Sequence, residues 1–129
     1  MRVLVVDDNM DCADAVAMIL KSLGCDVKCV YDFETALDTA KVFLPELALI
    51  DVMICDRNGY VLAKALRARP ENSELNCVAL TGWSEPAYLE RSRREGFFDH
   101  LVKPVGYDQL EALLQRLVKA DSKVESDHE

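Results

Sequence analysis

Three stretches of this chain are apolar without a break: Val3–Val6, Leu47–Ile50 and Cys77–Leu80. A strand with one face in water alternates apolar and polar residues, because successive side chains point to opposite faces. An unbroken run instead marks a strand covered on both faces, as in the interior of a parallel sheet. Between these runs the apolar spacing changes to that of a helix. Ala13, Val16, Ala17, Leu20 and Leu23 recur at helical intervals, as do Val61, Leu62, Ala65 and Leu66. Gly24, Pro45 and Pro70 supply the stops.

The segment Asp26–Val30 carries charges at alternate positions, which predicts an edge strand guarded against outside pairing. A fifth strand is expected near Phe98–Val102. A last helix is expected from Tyr107 to Lys119, with Leu110, Leu113, Leu114 and Leu117 on one face. The pattern is five strand–helix units, an α/β chain with helices on both faces of a doubly wound parallel sheet. The domain is placed at residues 1–119. Residues 120–129 are polar and acidic with only Val124 to bury, so this tail is expected to fray.

Composition narrows the function. The 129 residues are half hydrophobic, enough for one core, and leave no room for a second catalytic or DNA-binding domain. The net charge of −8 opposes binding to nucleic acid or to an anionic membrane. No apolar run approaches the ~18 residues of a membrane span, and no signal peptide is legible, so a cytoplasmic protein is expected. The five cysteines (Cys12, Cys25, Cys29, Cys55 and Cys77) contain no C-x-x-C pair and read mainly as reduced, small core residues.

In a doubly wound fold the site lies beyond the carboxyl ends of the strands. Here the first strand ends in Asp7-Asp8-Asn9, the third in Asp51, the fourth in Thr81-Gly82 and the fifth in Lys103-Pro104. Three carboxylates meeting in one pocket repel one another unless a divalent cation sits among them, and oxygen donors suit Mg²⁺. Asp51 begins the loop after the central strand, where a phosphoryl group can approach in line. Mg²⁺ and Lys103 together would balance the three negative charges. The Thr81 hydroxyl can donate to a phosphoryl oxygen. Gly82 leaves room for that group, and Gly59 fits a turn with positive φ.

The segments Val6–Asn9, Leu49–Met53, Ala79–Gly82 and His100–Pro104 resemble, in order, the motifs of the response-regulator receiver domains of two-component signalling. The resemblance covers nearly the whole chain. It implies a flavodoxin-like strand order 2-1-3-4-5 and a phosphorylation switch. Asp51 is then the phosphoacceptor. Asp8 and Asp51 bind Mg²⁺ directly, Asp7 acts largely through water, and the Met53 backbone carbonyl completes the protein ligands. Lys103, Thr81 and Gly82 contact the phosphoryl group. The implied partners are a sensor histidine kinase or histidine phosphotransfer protein and a downstream protein, with no nucleic acid and no membrane.

Two positions depart from the family pattern. Cys55 stands where proline is usual, which leaves the course of that loop open, and a reactive thiol is disfavoured among so many carboxylates. His100 stands where a rotating phenylalanine or tyrosine is usual, so with Thr81 it is the switch candidate. Simpler readings compete at several positions. Asn9 can be a helix cap, Thr81 a strand-end hydroxyl, Lys103 a solvated cation, and Met53 and Trp83 apolar packing at the rim.

Three other functions share parts of this layout. A haloacid-dehalogenase-type phosphatase needs a second aspartate two residues after the nucleophile, where Met53 stands. A flavodoxin-like cofactor carrier needs a phosphate loop that Asp7 and Asp8 would repel. A pseudo-receiver that only binds partners has no use for a complete set of site residues. A P-loop is absent from the sequence.

Overall fold

A computed structural model describes residues 1–82 and 86–127, with the side chains of 86–89 and 121–127 left undescribed. Among the described residues seven strands and five helices follow one another: β1 (Arg2–Val6), α1 (Met10–Ser22), β2 (Asp26–Val30), α2 (Phe33–Phe43), β3 (Leu47–Asp51), β4 (Met53–Ile54), β5 (Arg57–Asn58), α3 (Gly59–Arg67), β6 (Asn76–Thr81), α4 (Pro86–Arg94), β7 (Asp99–Val102) and α5 (Tyr107–Asp127). A short 3-10 turn at Pro70–Asn72 separates α3 from β6.

The main sheet has the order β2-β1-β3-β6-β7, with every pair parallel. Counted over its five strands this is the flavodoxin-like order 2-1-3-4-5. Alternation along the strands explains the unbroken apolar runs. Val3, Val5, Leu49, Val78 and Leu80 pack with α1 and α5, including Leu110, Leu113 and Leu117. Leu4, Val6, Ile50 and Ala79 face the other way, onto α2 and α3 through Phe33, Ala36, Leu62 and Leu66. Each fully buried leucine or isoleucine contributes about 1.5–3 kcal/mol relative to exposure, so both faces must be covered for the sheet to form.

Local signals set most boundaries. Asn9 caps α1 by accepting from the Cys12 N–H, and Asp32 caps α2 by accepting from that of Thr35. Gly24 takes φ 91° just past α1, and the Gly24 and Cys25 N–H groups return to the carbonyls of Lys21 and Leu20. On edge strand β2 the charged Asp26 and Lys28 face out while Val27 and Val30 are buried. One element differs from the sequence expectation. The α5 helix continues past Lys119 to Asp127. A two-stranded hairpin, β4–β5, lies within the loop after β3, whose course the sequence leaves open.

Candidate functional site

The carboxyl ends of β1, β3, β6 and β7 bring Asp7, Asp8, Asp51, Thr81 and Lys103 to one end of the sheet. Asp7, Asp8 and Asp51 each present an oxygen within 4.8 Å of the others. The Lys103 ammonium lies between two of them, 2.7 Å from Asp7 Oδ2 and 2.9 Å from Asp51 Oδ2. Asp7 is nearly inaccessible, Asp51 is buried apart from one edge, and Asp8 is exposed. A polar cluster this closely held suits a charged ligand, because Lys103 alone leaves two negative charges uncompensated.

Burial is the main influence on Asp51, and it pushes the carboxyl above its ordinary value of 3.8. Hydrogen bonds from the Met53 N–H and Lys103 pull the other way, and neighbouring Asp7 adds to the rise. Burial works to lower the Lys103 pKa, but the hydrogen bonds to Asp7 and Asp51 outweigh it and hold the ammonium above its usual 10.5. Three oxygen donors without nitrogen or sulfur fit a hard divalent cation, and Mg²⁺ suits one held by few carboxylates. Asp7, Asp8 and Asp51 are the side chains that would hold it.

The loop after β3 is built by close contacts. Cys55 and Asp56 have φ 49° and 64°, the backbone of a two-residue hairpin turn in which both central residues are left-handed. Proline, fixed near φ −65°, has no place at Cys55 in this path. Gly59 N–H donates to the Val52 carbonyl at 2.8 Å. Its φ is not positive, contrary to the expectation of a positive-φ turn. Glycine is required here by proximity: an added Cβ would lie 2.0 Å from the Asp51 carbonyl oxygen.

Family comparison fits this geometry. A model of the response regulator receiver domain matches residues 3–115. The chain is a member of the response regulator receiver domain family. It is 32% identical to an uncharacterized 14.6 kDa protein of Leptolyngbya boryana over 90% of this chain and 88% of that one. It is 29% identical to the DNA-binding response regulator MtrA of Mycobacterium tuberculosis over 95% of this chain, which spans about half (53%) of MtrA. The crystal structure of the chemotaxis response regulator CheY4 of Vibrio cholerae superposes with a TM-score of 0.82 at 27% identity, covering 89% of this chain and 96% of CheY4.

The remaining expected site residues of this receiver domain can be placed one by one. Thr81 is buried at the end of β6, and its carbonyl accepts the Lys103 N–H at 2.7 Å, which ties the ends of β6 and β7 together. Gly82 is exposed, and an added Cβ would meet nothing within 4 Å, so the space beside it is open. Met53 is exposed on β4, and its N–H points to Asp51. His100 lies part-buried on edge strand β7, with its Nδ1 3.9 Å from Asp99 Oδ1. Trp83 lies outside the described residues. The Lys103–Pro104 peptide is cis.

All five cysteines are free, but only Cys77 is a buried core residue, its thiol pushed up by burial to about 11. Cys25 and Cys29 are half-buried and pack against the core, Cys12 is half-buried and Cys55 is exposed, so the expectation of mainly core cysteines holds fully for Cys77 and in part for Cys25 and Cys29. The Cys55 thiol is raised, first by loss of hydration and then by Asp8, Asp32, Asp56 and Glu34. One contact escaped sequence reasoning altogether: the Cys55 N–H donates to Asp8 Oδ2 at 2.9 Å. No local pattern announces it, since the two residues are 47 positions apart.

Proposed function

We propose that this receiver domain is a phosphorylation-activated signalling switch that accepts a phosphoryl group on Asp51 from a phosphohistidine donor. The observation that carries this reading is the Lys103 ammonium held between Asp7 and Asp51 at the ends of three strands. The Asp51 carboxylate oxygen attacks phosphorus, the bond from phosphorus to the donor nitrogen breaks, and the nitrogen takes up a proton. Lys103 stays within reach of the oxygens that gain charge during transfer.

Bound Mg²⁺ supplies charge neutralisation for the phosphoryl oxygens. Asp7, Asp8, Asp51 and the Met53 backbone carbonyl are its proposed protein ligands. Thr81 donates its hydroxyl to the phosphoryl oxygen, and Gly82 offers a backbone donor with no side chain in the way. The Thr81 contact exists only after transfer, so it can shift a two-state equilibrium. His100 is the candidate to respond on β7.

The proposed partners are a sensor histidine kinase or histidine phosphotransfer protein and a downstream protein, met in the cytoplasm. The net charge of −8 favours protein over nucleic acid as the partner of this segment. The chain acts on its own aspartate rather than turning over a substrate. Incubation with phosphoramidate and Mg²⁺ should add one phosphoryl group, read by intact mass. Asp51→Asn should add none, and chelation should abolish the reaction. Labelling of Asp51→Asn at the wild-type rate removes Asp51 as the acceptor.

A further inference from the structure

We propose that Cys55 is a positioning residue for the metal site, acting through its backbone N–H on Asp8 and not through its thiol. This rests on reading the three carboxylates as the Mg²⁺ site. The three acids are not held alike. Asp7 is fixed by Lys103 and by the Asn9 N–H, and Asp51 by Lys103 and the Met53 N–H. Asp8 is exposed and out of this pairing. Among the described residues, its only hydrogen bond is the one from Cys55 at 2.9 Å.

An exposed carboxylate with no partner samples several rotamers, and a cation must then select one of them. A single N–H on Oδ2 fixes the rotamer and keeps the second oxygen for the cation. Outer contacts of this kind orient ligands and govern metal affinity. The N–H faces Asp8 because Cys55 and Asp56 both take left-handed φ, 49° and 64°, which few non-glycine residues adopt. Other elements hold the turn in this path. Cys55 Sγ lies 3.8 Å from the Tyr31 carbonyl. The Arg57 guanidinium stacks 3.7 Å from the Phe33 ring centroid and pairs with Glu34. The loop preceding α2 and the first turn of α2 therefore set the turn, and the turn sets Asp8.

The test compares Mg²⁺ affinity by isothermal titration calorimetry across Cys55 variants. Cys55→Pro has no N–H and cannot take the positive φ, and its affinity should fall about 10–100-fold. Cys55→Ser keeps the N–H and a side-chain donor and should bind at the wild-type level, and Cys55→Gly, which keeps the N–H and favours the positive φ, should bind far more tightly than Cys55→Pro. Wild-type affinity in Cys55→Pro, or an equal loss in Cys55→Gly, overturns the proposal.

A second measurement needs no proline variant and no metal. In ¹H–¹⁵N spectra of the metal-free protein, Asp8→Ala should shift the Cys55 amide proton upfield and speed its exchange. An unmoved amide overturns the contact whether or not Cys55→Pro folds. A wild type that takes up no Mg²⁺ overturns the site reading and this role with it, and the amide result then tells the two failures apart.

Discussion

Replacing Gly59 by alanine sets two effects of opposite sign against each other. Gly59 is the first residue of α3 and its φ is not positive, so on helix propensity alone Gly59→Ala should stabilise by up to about 1 kcal/mol. The structure predicts the reverse. The new Cβ would lie 2.0 Å from the Asp51 carbonyl oxygen, against ordinary contact beginning at 3.4 Å, a shortfall of 3.4 − 2.0 = 1.4 Å. The obstructing atom is backbone and cannot rotate away. Overpacking costs about 1–3 kcal/mol even where side chains can give, and the upper end applies here. The net effect is a destabilisation of about 2 kcal/mol, or roughly 8 °C in melting temperature for a domain of this size.

The damage should be larger in function than in stability. Relieving the clash moves the Asp51 backbone by more than an ångström, and a misplacement of about 1 Å costs on the order of 100-fold in rate. Thermal denaturation by circular dichroism reads the first effect. The rate of phosphoryl uptake from phosphoramidate, followed by intact mass, reads the second. A Gly59→Ala protein that melts higher than wild type and labels at the same rate refutes the reasoning, because propensity alone then decides the site.

Other outcomes follow from the same contacts. Burial raises the Asp51 pKa, so the folded metal-free protein disfavours the charged carboxylate. That cost is present at neutral pH and disappears as pH falls through the folded pKa and then the ordinary value near 3.8. Asp51→Asn should therefore melt higher than wild type at pH 7 in chelator, with the gap closing in acid; a gap that is the same at both pH values contradicts this. Thr81→Ala should still accept a phosphoryl group but show much smaller chemical-shift changes on beryllofluoride binding. Equal changes in mutant and wild type remove Thr81 from the switch.

The apolar runs by themselves determined the interior strands, because a run buried on both faces has few other solutions. The alternating charges of Asp26 and Lys28 likewise determined an edge. Polar residues placed just where those strands stop located Asp7, Asp8, Asp51, Thr81 and Lys103, since a parallel sheet aligns its carboxyl ends whatever the loops do. What the sequence could not determine depends on the path of a loop through space. Gly59 looked like a turn glycine, yet tertiary structure makes it a point of close approach to Asp51. Cys55 looked like a departure that obscured the loop, yet a left-handed turn packed against Tyr31 and Phe33 aims its N–H at Asp8. Contacts of that kind depend on how a loop returns on its own strand, as at Gly59 and Asp51, or reach 47 positions along the chain, as at Cys55 and Asp8, and they turn on fractions of an ångström. Periodicity, which is a local property, carries no record of them.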